Sequence, residues 1–204
     1  MSDDIEEIKR KLKILANELI IGISSLKILE SSKDYPKVFD NTKTAHVINT
    51  ITWSLYQSAI LNIRKAFDPK QGNPDACNIQ NIIKGINDNK EILKSFYKSE
   101  EQFYNKLGTL NSKWDLFWND HLVKEIKDGR DLVAHIRIEE TVVLPSTDKQ
   151  MKVASELINL LENYIHPLVE GFYVDYYLEI DEIVSLSESF WKNLYNDNMA
   201  RIIP

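Results

Sequence analysis

Ile5, Ile8, Leu12, Leu15, Leu19, Ile23, Leu26 and Leu29 recur at steps of three and four along the start of the chain. That spacing gathers them on one stripe of an α-helix, with Glu6, Glu7, Lys9, Arg10 and Lys13 on the other faces. A stripe this long and straight must be covered lengthwise, so the rest of the chain has to supply helices that lie along it.

The same periodicity continues. Ser31, Ser32 and Pro36 mark a loop, and a second helix is expected from about Asp40 to Phe67, carrying Ala45, Ile48, Thr52, Leu55, Ala59, Ile60 and Ile63. Asp68-Pro69 stops it, because proline disfavours helical geometry in the residue before it, and Lys70 to Pro74 reads as a loop. Helices are then expected near Ile79 to Ile86, from Lys90 to about Asn111, and from about Lys113 to His135. Residues 136–145 are rich in β-branched side chains and predict an extended connection or short edge strand. Ser146, Thr147 or Asp148 can cap a long helix running to about Tyr177, kinked or interrupted at Pro167, and a last helix spans about Asp181 to Tyr195. The expected fold is all-α: one domain over residues 1–204, a single bundle of about five to seven helices with a short extended segment near 136–145.

Composition bounds the function. An apolar content of 43% and a charged content of 27% are those of an ordinary soluble chain. The single cysteine, Cys77, excludes an internal disulfide and a four-cysteine metal site, which suits the cytoplasm. The acidic opening Asp3-Asp4-Ile5-Glu6-Glu7 is unlike a targeting peptide, and no apolar run approaches the ~20 residues of a membrane span. The net charge of −6 is unevenly placed: from Val153 onward nine acids face only Lys192 and Arg201. Contact with nucleic acid is therefore expected from the first three quarters of the chain.

Most catalytic patterns are missing. Six scattered glycines make no phosphate-cradling loop, and His46, His121, His135 and His166 lack metal-ligand spacing. There is no nucleophile elbow. What remains is Lys124-Glu-Ile-Lys127-Asp-Gly-Arg130-Asp131-Leu-Val-Ala-His135 at the end of an expected helix. Taken alone, Arg130, Asp131 and His135 also read as an ion-pair cluster closing a helix.

This cluster resembles the signature of the HEPN superfamily, whose nucleases carry an Arg, an adjoining polar residue and a His after a short spacer near a helix end. Arg130, Asp131 and His135 fit with four intervening residues, and Ala134 is the small residue before the His. The long preceding helix that bears Trp53 to Phe67, the variable middle, the motif helix and the long helix after Pro145 follow the order of the abortive-infection, AbiU-type branch. The resemblance spans roughly residues 40–175, which leaves Met1 to Lys33 and the last thirty residues as additions.

The chemistry follows from the residue types. Metal-independent RNA cleavage needs an acid/base for the 2′-hydroxyl or the leaving oxygen, and a cation for charge developing on the phosphate. His135 suits the first role and the planar fork of Arg130 the second. Asp131, four residues before His135, shares its helix face and can orient the imidazole; the carboxylate and the helix C-terminus both favour the protonated form. Arg130 is five positions from His135, about 140° around the helix, so one motif converges poorly on one phosphate.

Two motifs across a dyad do better, matching the homodimers that the resemblance implies. The resemblance further implies an RNA substrate, 2′,3′-cyclic phosphate and 5′-hydroxyl products, no metal or organic cofactor, and a phage-defence or toxin–antitoxin setting with a cognate antitoxin. The alternative is a non-catalytic HEPN-like interaction or nucleotide-binding module acting as a dimer. The motif helix and the Ile5–Leu29 stripe compete as the dimer surface.

Other features read more simply. Arg64 and Lys65 either supplement the cleft or form a solvated helix end. His46, His121 and His166 read as structural. The aromatic groups at Tyr97, Phe103, Tyr104, Trp114, Phe117 and Trp118, and at Phe172, Tyr173, Tyr176 and Tyr177, read as helical core rather than base-stacking surfaces.

Overall fold

The first helix forms as its stripe requires. In the computed structural model α1 runs from Asp3 to Ser32, and all eight stripe residues are buried. Its first turn carries Asp3, Asp4 and Glu6 against the positive end of the helix dipole. The structure describes residues 3–32, 45–67, 76–135, 145–171 and 174–202, with side chains described throughout these except at 45, 129–135 and 197–202.

Helices close around α1. α2 (Ala45–Lys65) lies along it, and α3 (Ile79–Asp88) packs near its N-terminal part, where Gly85 meets Ile8. A short α4 (Lys90–Leu93) passes through a 3-10 turn into α5 (Glu100–Trp118), which α6 (His121–His135) follows directly. α7 (Thr147–Leu160) runs through a π-helical turn (Leu161–Ile165) into a short α8 (His166–Val169). α9 (Tyr177–Ile202) returns along α1. The fold is all-α, with no strand among the described residues. No helix among them is long and apolar enough to cross a membrane. The extended segment expected near 136–145 lies outside the described residues except for Pro145.

Several boundaries differ from those the sequence predicts, and each difference has a local cause. The helix expected from Lys90 to Asn111 is cut at Tyr97, whose extended backbone lets its hydroxyl donate to the Pro167 carbonyl while its ring packs edge-on against Phe103 at 5.3 Å. Ser99 then caps α5, its hydroxyl accepting from the Gln102 N–H. No break falls between Asn111 and Lys113, because Phe103, Leu107, Leu110, Trp114 and Phe117 form one uninterrupted buried stripe. The chain turns instead at Asn119 and Asp120.

Ser146 is the residue that caps α7. Pro167, which has no N–H to give, sits just past the π-helical turn, and the helix ends at Val169 rather than near Tyr177. Gly171 leaves it at φ +78°, a conformation that costs glycine little. The last helix is longer than expected and buries Trp191 with Ile48 in a small second cluster.

Because α1 is enclosed, its stripe is not a surface. Leu15, Leu19, Ile23 and Leu26 are fully buried, so the Ile5–Leu29 face does not compete as a dimer surface.

Candidate functional site

α6 is built from its base upward. Asp120 Oδ1 accepts from the Leu122 N–H at 2.7 Å, satisfying one of the donors that a helix start leaves open. Leu122, Val123 and Ile126 are buried, and α6 packs against α2 and α7. On the outside, Lys149 Nζ meets Glu125 Oε2 at 2.5 Å; both are partly exposed, so the pair contributes at most ~1 kcal/mol.

The brace that matters lies one turn above. Arg64, at the end of α2, is only 8% exposed, and its Nη1 donates to the carbonyl of Lys127. In helical register that carbonyl also accepts from the N–H of residue 131. Lys127 is held from the other side as well, its ammonium 3.2 Å from the centre of the Trp118 ring. Arg64 is thus not a solvated helix end: it ties α2 to the backbone where the motif begins. Lys65 is exposed and pairs with Glu18 at 2.8 Å.

These contacts fix the direction of α6. Phe67, just past α2, meets Phe117, just before α6, with ring centres 5.8 Å apart; Arg64, farther back, meets Lys127, farther on. The two helices therefore run antiparallel. From Lys127 the helix rises about 12 Å to His135, and about 12 Å back along α2 from Arg64 reaches Tyr56. The motif end of α6 is level with the Trp53–Tyr56 segment of α2.

Tyr56 is firmly placed there. Its hydroxyl donates to the Pro145 carbonyl at 2.8 Å, its ring packs on the core, and burial pushes its phenol up to about 12. The buried Gln150 donates to the same carbonyl through Nε2 at 3.1 Å. Trp53 stacks on Tyr56, with ring centres 5.7 Å apart and planes within 9°.

Arg130, Asp131 and His135 all belong to the C-terminal end of α6, while their side chains are outside the described residues. Two open grooves run along α5, with volumes of about 420 and 440 Å³. No residue of α2 or α6 lines either of them.

The remaining histidines divide. His46 and His121 are exposed. His166 is buried and structural: Nδ1 lies 2.6 Å from Glu170 Oε2, and Nε2 pairs with the hydroxyl of Tyr176. Burial raises the Tyr176 hydroxyl above its usual range, and Glu170 adds to the effect. The first aromatic group is largely core, with Phe103, Trp114 and Phe117 buried; Tyr176 and Tyr177 pack partly buried against it, while Phe172 and Tyr173 lie outside the described residues. No group of three or more metal-binding side chains occurs among the described residues.

Sequence reasoning missed the Arg64 brace, the Tyr56–Pro145 contact and the exposure of Trp53. The first two join residues 63 and 89 positions apart, which periodicity does not report.

No curated protein and no solved structure matches the chain. The AbiU2 family of HEPN domains matches residues 5–168. The match begins at residue 5 rather than near 40, so it takes in α1; it stops inside α8, which leaves α9 beyond it. With most of its length matched, and Arg130, Asp131 and His135 at the end of α6, the chain belongs to the AbiU2 family of HEPN domains, the abortive-infection branch.

Proposed function

We propose that this protein is a metal-independent endoribonuclease acting in abortive infection or as the toxin of a toxin–antitoxin pair. The observation that carries this reading is the sequence Arg130-Asp131-Leu-Val-Ala-His135 at the end of a braced helix in an AbiU2 HEPN chain. His135 acts as the acid/base at the 2′-hydroxyl or the leaving oxygen. Arg130 holds the phosphate, and Asp131 orients the imidazole. A helix C-terminus favours the imidazolium, so His135 is suited to protonating a leaving oxygen near neutral pH.

Positions 130 and 135 face directions about 140° apart on one helix. The complete site is therefore a composite of two motif helices in a homodimer. The enclosure of α1 supports this choice of surface, since it removes the other long stripe from contention.

The test is cleavage of mixed cellular RNA in EDTA by wild type and His135→Ala. A positioned acid/base contributes about 10²–10⁴-fold, so the variant should lose activity by that factor while keeping its helical content and its mass in solution. Equal activity would remove His135 from the chemistry. Absence of cleavage by both would favour a non-catalytic interaction or nucleotide-binding module.

A further inference from the structure

We propose that Trp53, backed by Tyr56, is a stacking platform for an unpaired base of the RNA strand that the motif end of α6 engages. The inference rests on the ribonuclease reading above and adds to it the subsite that seats the strand.

Three observations carry it. First, the aromatic pair is built as a platform. Tyr56 is tied by its hydroxyl to the Pro145 carbonyl at 2.8 Å and packed on the core, so it is a fixed backing. Trp53 lies nearly parallel to it, within 9°. Yet Trp53 remains 47% exposed, whereas Trp191 is 1% exposed and Trp114 8%. A large apolar ring held flat and left open presents a π-face, which any base can cover.

Second, the surrounding surface suits a polyanion. α2 carries no Asp or Glu from Ala45 to Lys65, in a chain with 31 acids and a net charge of −6. The exposed polar neighbours of Trp53 on this helix include His46, Asn49 and Ser54, which can donate hydrogen bonds to a phosphate or sugar and do not repel it. Third, the antiparallel packing of α2 and α6 sets Trp53 level with the end of the motif helix. A strand that reaches Arg130 and His135 can lay a neighbouring base on the indole.

Stacking of this kind tolerates any base, so the platform orients the strand more than it selects sequence. Val47, also exposed at 57%, is the feature that a protein contact at the same place would use.

The test measures binding of a short, unstructured 2′-O-methyl oligoadenylate, which cannot be cleaved, to the full chain carrying Trp53, Trp53→Ala, Trp53→Leu or Trp53→Phe. Wild type should bind with quenching of tryptophan fluorescence. Trp53→Ala and Trp53→Leu should weaken binding by roughly 5- to 150-fold, the range for losing one stacked base, and Trp53→Phe should retain part of the affinity. Equal affinity of wild type and Trp53→Leu would overturn the platform. So would a change in mass in solution caused by Trp53→Ala and reversed by Trp53→Leu, which would assign the patch to a protein contact. If wild type failed to bind the oligonucleotide yet still cleaved mixed RNA, the platform would fall and the ribonuclease reading would stand.

Discussion

Gly22 and Gly108 both sit inside long helices, and their surroundings make opposite demands on a methyl group. A Cβ at Gly108 would meet nothing within 4 Å. Alanine is favoured over glycine in a helix interior by about 0.8–1.0 kcal/mol, so Gly108→Ala should stabilise the protein by roughly that amount. A Cβ at Gly22 would stand 3.0 Å from Ile63 Cγ1, 3.4 Å from Ile63 N and 3.5 Å from the Ala59 carbonyl oxygen. Ile63 is fully buried and β-branched, so its Cγ1 cannot swing aside as a flexible chain end would. α1 and α2 must then separate by a few tenths of an ångström through a packed core, at an overpacking cost of about 1–3 kcal/mol. Set against the same helix preference, Gly22→Ala comes out roughly 0–2 kcal/mol less stable than wild type, and about 1–3 kcal/mol below Gly108→Ala. Urea unfolding at fixed protein concentration reads this directly. With a slope of about 2 kcal/mol/M, the midpoints should differ by roughly 0.5–1.5 M with unchanged slopes. A Gly22→Ala variant as stable as Gly108→Ala would refute the close approach of α1 and α2, and with it the placement of α2 that sets Trp53, Tyr56 and Arg64.

Two further outcomes test the bracing of the motif helix. Arg64→Met should lower unfolding stability by about 1.5–3 kcal/mol, the range for a hydrogen bond from a charged group, because the Lys127 carbonyl loses its donor from α2; urea midpoints check it, and an unchanged midpoint would show that the brace contributes nothing. Tyr56, held near 12 by burial, keeps its proton in the folded state after the unfolded chain has ionised near pH 10. Its contribution is therefore fully present below pH 10 and is lost as the pH rises to 12. Tyr56→Phe should flatten that alkaline fall in stability, leaving the share of Tyr104 and Tyr176, whose hydroxyls are also raised; an unaltered slope in pH-dependent unfolding would exclude Tyr56 as a cause.

What the sequence disclosed depended on whether its signal was local. The α1 stripe was legible because every member answers to one period, and each of the eight is buried. The Ser146 cap and the interruption by Pro167 were legible because both act within one turn. The break placed near Asn111–Lys113 does not occur, although the row from Phe103 to Phe117 that carries the helix through is present in the same stretch. Arg64 defeated a local reading for a different reason. A cation at a helix C-terminus already has an explanation in the dipole, and nothing nearby points to a partner in α6. Trp53 could be placed on its helix but not on its surface, since exposure depends on which neighbours arrive to cover it. The motif itself was legible as residue types at a spacing, and those residues lie on α6.

The acidity of the chain, taken as a sum, argues against a nucleic-acid surface; taken by position, it does not. The excess of acids lies from Val153 onward, much of it on α9, which extends beyond the family match. α9 is itself polarised. Its acidic end carries Glu179, Asp181 and Glu182 and is anchored to α1, where Asp181 meets Lys27 at 2.9 Å. The part that approaches α2 does so through Trp191 against Ile48 and Ile51, and the charges within about a turn of it are Glu188 and Lys192. Ten helical residues from Asp181 to Trp191 span about 15 Å, well beyond a Debye length of about 8 Å at physiological ionic strength. The carboxylates at that end are thus screened from the start of α2, which carries none of its own. A strand approaching Trp53 would therefore meet, on α2 itself, a helix that carries no carboxylate.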